Sequence, residues 1–119
     1  MIAEILALAW IEVRAPVDMQ RVAELKAKVD AGEAEAIALA LEWSDSLLLV
    51  DDIKGRALAL TLGVSITGLV STLLRAKERG LIPAIAPLLD ALVQQTTFRM
   101  KASLRTEALK LAGELPDRP

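Results

Sequence analysis

The stretch from residue 30 to residue 52 constrains this chain more than any other. Asp30-Ala-Gly-Glu33-Ala-Glu35 leads into Ala36-Ile-Ala-Leu-Ala-Leu41. This reads as a helix running to about Trp43, opened by the pattern of a capping box, in which a short polar residue is followed three positions later by Glu. Ser46-Leu-Leu-Leu-Val-Asp51-Asp52 follows. Residues 47–50 form a continuous apolar run bounded by polar residues, as expected of a strand buried on both faces. The helix thus starts on carboxylates and the strand ends on them. If both belong to one parallel sheet, these acids meet at the carboxyl edge, where open α/β sheets place their sites.

Carboxylates without His or Cys are hard oxygen ligands and suit Mg²⁺ or Mn²⁺. Metal-dependent phosphodiester cleavage is therefore the first chemistry to weigh. The 119 residues contain no His and no Cys. That excludes a histidine base, a His-dependent triad, a thiol nucleophile, a Cys-ligated zinc and a disulfide scaffold. Any catalysis must rest on carboxylates, Lys, Arg, Ser, Thr and metal. The length suits one domain spanning residues 1–119. The chain is 54% hydrophobic with only three aromatics, Trp10, Trp43 and Phe98, so its core must be aliphatic. The N-terminus carries Glu4 rather than a basic leader, which points to the cytoplasm. Residues 57–74 carry no charge, a length close to a membrane span. Their middle, Leu62-Gly-Val-Ser-Ile-Thr-Gly68, instead reads as turn, strand, turn, so helix–strand–helix in a buried sheet is expected and no membrane partner.

Strands are expected at residues 10–14, 47–50 and 64–67, the first closed by Ala15-Pro16. Residues 1–8 read as the end of a helix. Asp18 is placed to cap a helix reaching about Val29, with Val22, Leu25 and Val29 at core spacing. Asp52 is placed to cap a helix that Gly63 ends. Gly68 precedes a helix to about Arg79, basic in its last turn and stopped by Gly80. Pro83 opens a helix to about Gln95, and a last helix covers roughly residues 103–113. Strands alternating with helices define an α/β domain with a parallel sheet.

Each acid has a structural reading beside the functional one. Asp51 ends a strand. Asp52 is a helix cap, a role that contributes about 1 kcal/mol. Glu33 is the third residue of a capping box, and Glu35, two residues on, lies on another face of the helix. Glu4 is a polar residue on a short helix. Ser65, Ser71 and Thr72 have no base to activate them, and the glycines do not form a P-loop. Lys54-Gly-Arg56 lies one turn into the helix after Asp52, where cations can meet a phosphate backbone or simply be solvated. Charge is uneven: residues 1–52 carry net −7 and residues 53–119 net +5. This fits an acidic metal site beside a basic track, and equally two solvated faces that pair.

Taken in order, Trp10-Ile-Glu-Val-Arg, Asp30-Ala-Gly-Glu-Ala-Glu-Ala-Ile-Ala-Leu-Ala-Leu-Glu, Leu48-Leu-Val-Asp-Asp-Ile-Lys-Gly-Arg-Ala-Leu-Ala, Leu62-Gly-Val-Ser-Ile-Thr-Gly, Leu74-Arg-Ala-Lys-Glu-Arg-Gly-Leu-Ile-Pro and Phe98-Arg-Met resemble the prokaryotic PIN-domain-like proteins. The resemblance runs from about residue 2 to residue 114. It implies a PIN-like three-layer α/β domain with a short parallel sheet. It also implies a ribonuclease, commonly the toxin of a type II toxin–antitoxin pair, in which acids hold Mg²⁺ or Mn²⁺ and activate water. Carried over by position, Glu33, Asp51 and Asp52 match catalytic metal ligands, with Glu35 and Glu4 as further ligands. Lys54 and Arg56 fall to substrate binding, with RNA and an antitoxin protein as the partners implied. The family opens on a strand bearing Asp-Thr-Ser followed by a helix, and this sequence shows no equivalent. A domain N-terminally truncated in this way is expected to lack one metal ligand and a middle strand, and to cover its open sheet edges as a homo-oligomer. The alternative reading is a degenerate, non-catalytic oligomeric or protein-interaction module on the same scaffold.

Overall fold

The computed structural model describes residues 2–115. The chain groups into two compact units, Met1–Thr67 and Gly68–Pro119.

The first unit begins with a short helix α1 (Ile2–Leu6), followed by an irregular segment and α2 (Met19–Leu25). Asp18 caps α2 as its position suggests, its side chain accepting the Arg21 amide at 3.0 Å. The helix stops at Leu25 rather than near Val29. The chain tightens there, with the Lys28 amide donating to the Leu25 carbonyl three residues back. Helix α3 (Ala31–Leu41) follows, burying Ala34, Ile37 and Ala38 on one face. Two alanines at that spacing let the helix approach its neighbours closely, and Ile37 is fully buried between them.

Strand β1 (Leu48–Leu49) pairs in parallel with β2 (Ile66–Thr67), joined by α4 (Ile53–Thr61). Leu48 and Val50 point inward and are buried, and their amides donate to the Ser65 and Thr67 carbonyls. Helix α4 ends as expected at Gly63, whose φ of +81° is open to glycine at little cost. The Val64 amide reaches the Ala59 carbonyl and the Gly63 amide the Leu60 carbonyl, closing a Schellman motif. Val22, Leu25, Ile37, Leu48, Val50 and Val64 belong to one continuous core.

The strand expected at residues 10–14 does not form. A strand needs a neighbour to complete its ladder, and side chains engage the end of this segment and the residues just after it instead. The Arg14 guanidinium lies 4.9 Å from the Trp43 ring centroid. Glu42 accepts the Val17 and Asp18 amides at 2.9 and 3.1 Å. The described residues therefore contain two strands where the sequence suggested three.

The second unit consists of α5 (Leu69–Glu78), α6 (Ala86–Gln95) and α7 (Ala102–Leu111) around Ile85, Leu89, Ala108 and Leu109. Helix α6 starts three residues after Pro83, and the proline in its first turn is Pro87. Its N-terminal amides are satisfied from a distance: Glu114 accepts the Ile85 amide at 2.7 Å and the Ala86 amide at 3.0 Å. Lys77 completes this arrangement, 3.0 Å from Glu114 and bonded to the Ala112 carbonyl. Gly113, at φ +73°, turns the chain so that Glu114 reaches α6. Among the described residues no helix is long and apolar enough to cross a membrane. The uncharged run from 57 to 74 is divided among α4, β2 and α5.

Candidate active site

The carboxyl end of β1 leads directly into the N-terminus of α4, and the N-terminus of α3 meets it there. Asp52 caps α4, its Oδ2 accepting the Gly55 amide at 3.1 Å. This is the cap role its position suggested. One turn further, Arg56 folds back and donates to the Val50 carbonyl at 2.9 Å. Arg56 is half-buried and braces the end of β1. Lys54 stays exposed.

On α3, Asp30 occupies the N-cap in an extended conformation, and its side chain makes no capping bond. Glu33 turns back towards the Asp30 amide, which favours its charged form. Its carboxylate is half-buried beside Asp52. Burial raises its pKa above the ordinary 4.5, and the charge of Asp52 raises it further. The Asp30 amide pulls the other way, and the Asp30 carboxylate adds to the rise. The close approach of the Asp52 side chain adds a little more to the rise. The pair is therefore a site of concentrated negative charge that a proton or a cation relieves.

These two acids lie in an open cleft of about 650 Å³ that Lys26, Lys28 and Lys54 also line. The turn after α2 brings in Lys26 and Lys28, which the sequence reading left unremarked. Their only signal was the Lys-Ala-Lys spacing just before Asp30. The result is three carboxylates, Asp30, Glu33 and Asp52, among three cations within one concavity.

The remaining expected ligands are exposed. Asp51 is exposed at the end of β1, Glu35 is exposed on α3, and Glu4 is exposed on α1. Among the described residues no three acids gather closely enough to hold a metal ion. The pair alone still fits a hard cation. Its donors are all oxygen, and Mg²⁺ commonly takes only one or two protein carboxylates, completing its octahedron with water and substrate phosphate.

No curated relative and no solved structure matches the chain. A family model described as a PIN domain matches residues 1–114, a span that includes α1 through α7 and the whole cleft. The α/β order, the parallel pairing across α4 and the acids at the end of β1 agree with that match. The chain belongs to the PIN-domain family, a family of nucleases.

Proposed function

We propose that this chain is a divalent-metal-dependent ribonuclease of the PIN type, with Glu33 and Asp52 holding Mg²⁺ or Mn²⁺ and Asp51 as the neighbouring acid. The observation that carries the reading is the cleft itself, where the carboxylate pair sits among Lys26, Lys28 and Lys54. Phosphodiester hydrolysis needs both features: negative charge to hold the metal, and positive charge to hold the phosphate backbone. The metal, when bound, supplies a water acidified enough to attack phosphorus. The chain's own residues do the rest. Asp52 is anchored by the Gly55 amide, Glu33 lies over the bare face of Gly55, and the lysines orient RNA by its phosphates. Sequence-independent phosphate contacts of this kind position a strand without reading its bases. In the finer form of the proposal the enzyme is the toxin of a type II toxin–antitoxin pair, with an antitoxin protein as its inhibitor.

The test is a Mn²⁺ titration followed by thermal shift, on the wild type, Glu33→Gln and Asp51→Asn, with cleavage of a single-stranded RNA as the second readout. A ligand that binds only the native state raises its apparent stability. The wild type is expected to be stabilised by Mn²⁺ and to cut RNA only with metal, and Glu33→Gln to lose both. Absence of a shift and of cleavage in the wild type refutes the reading.

A second reading, a non-catalytic oligomeric or interaction module, is favoured by one observation. Strand β1 pairs only with β2 among the described residues, and beside it lies an apolar groove of about 300 Å³ lined by Leu39, Trp43, Leu47 and Leu49. Trp43, Leu47 and Leu49 are exposed there. Light scattering decides this reading, which requires a homo-oligomer that Leu49→Lys converts to monomer.

A further inference from the structure

We infer that Gly55 is a positioning residue, whose missing side chain leaves the space in which the Glu33 carboxylate rests beside Asp52. This deepens the nuclease reading and rests on it. Glycine is disfavoured inside a helix because it gives up the most backbone freedom on folding. Gly55 nevertheless sits in the first turn of α4, is buried, and has an ordinary helical conformation that does not require glycine. The reason lies in the space above it. A Cβ built at Gly55 would stand 2.8 Å from Glu33 Oε2, 3.4 Å from Glu33 Cδ and 3.0 Å from Val50 Cγ2.

The three contacts differ in how they yield. The Glu33 carboxylate is the end of a flexible side chain, so it swings away. Val50 is β-branched and set in the core, so it gives by only a few tenths of an ångström. A methyl group at position 55 therefore displaces the acid and presses on Val50, which must shift by a few tenths of an ångström. Two links meet at this residue, and the second depends on its bare surface. The Gly55 amide holds Asp52 at 3.1 Å, and the absent Cβ admits Glu33 from α3. One residue thus brings together Glu33 and Asp52, two of the cleft's three carboxylates, from the starts of two different helices.

The test is Gly55→Ala, compared with the wild type and with Glu33→Gln. Circular dichroism is expected to show the wild-type helix content, since alanine favours a helix more than glycine does. Calorimetric titration is expected to show Mn²⁺ binding at least tenfold weaker than in the wild type. Wild-type Mn²⁺ affinity in a folded Gly55→Ala overturns the proposal. The second readout needs no metal: crystal structures of the metal-free wild type and of Gly55→Ala. The Glu33 carboxylate is expected to rest over position 55 in the wild type and to be swung out of that space in Gly55→Ala, and an undisplaced Glu33 overturns the proposal. If the wild type binds no Mn²⁺ but Glu33 is displaced in Gly55→Ala, the nuclease reading fails and the positioning role stands.

Discussion

Replacing Glu114 by alanine is expected to destabilise the second unit by about 3 kcal/mol, the combined effect of lost charged hydrogen bonds and a lost helix cap. Its side chain is only 11% exposed and accepts three hydrogen bonds, from the Ile85 amide at 2.7 Å, the Ala86 amide at 3.0 Å and Lys77 Nζ at 3.0 Å. A hydrogen bond to a charged group contributes roughly 1.5–3 kcal/mol where water cannot replace it. The full sum does not apply, because Lys77 keeps the Ala112 carbonyl and is 27% exposed, so water reaches it. The amides of α6 have no such relief, since neither Ile85 nor any residue of the first turn caps the helix. Removing a cap alone costs roughly 0.5–2 kcal/mol.

Urea denaturation at neutral pH measures the effect, as a lower midpoint at unchanged m-value. The exposed pair of Arg105 and Asp90, 2.7 Å apart, is the internal control. Asp90→Ala should change stability by less than about 1 kcal/mol, as exposed ion pairs do. The pH dependence supplies an independent check. Burial works to raise the Glu114 pKa, but the Ile85 and Ala86 amides and Lys77 outweigh it, and the net shift is downward from 4.5. A depressed folded pKa means that the unfolded chain binds the proton more readily. The stabilisation is then present above pH 4.5 and is lost as pH falls through the folded value. Glu114→Ala should lack this acid-side loss. A variant within about 0.5 kcal/mol of wild type, a change ordinary for surface positions, would refute the reasoning.

Glu33 should show the opposite dependence. Its folded pKa is raised, so its contribution is fully present below pH 4.5 and is lost as pH rises through the folded value. Glu33→Gln should flatten that fall in a stability–pH profile taken without divalent metal. Asp52→Asn should keep a capping oxygen for the Gly55 amide while relieving Glu33, so its unfolding midpoint should equal or exceed that of wild type. Asp52→Ala loses the cap and should lie about 1 kcal/mol below Asp52→Asn. Ile37→Ala empties a fully buried site in the core of the first unit and should cost roughly 2–5 kcal/mol by urea denaturation.

The elements legible in the sequence are those whose signals are local. Asp18 and Asp52 cap the helices they precede, because a short acid reaches an amide only three residues away. Gly63 ends α4 because a left-handed residue follows a helix most cheaply as glycine. The alternation of helix and apolar run around residues 31–67 appears as a parallel pair joined by a helix. Residues 10–14 have the alternation of a strand, but strand character is completed by a partner, and Trp43 engages Arg14 at the end of this segment instead. Pro83 and Pro87 carry the same local signal, and the choice between them goes with Glu114, some thirty residues downstream.

At the site the same division holds. The sequence by itself determined the chemistry available: no imidazole, no thiol, and carboxylates at one strand end and two helix starts. It also determined family membership, since that rests on the order of motifs along the chain. Only the tertiary structure decided which acids meet. It drew Glu33 to Asp52, left Glu4 and Glu35 exposed, turned Arg56 back onto Val50 and brought in Lys26 and Lys28. The physical reason is that residue type and spacing set what a side chain can do and which helix face it occupies. Its neighbours across space depend on how closely two backbones approach, and here that depends on a glycine with nothing above it but a carboxylate and a valine methyl.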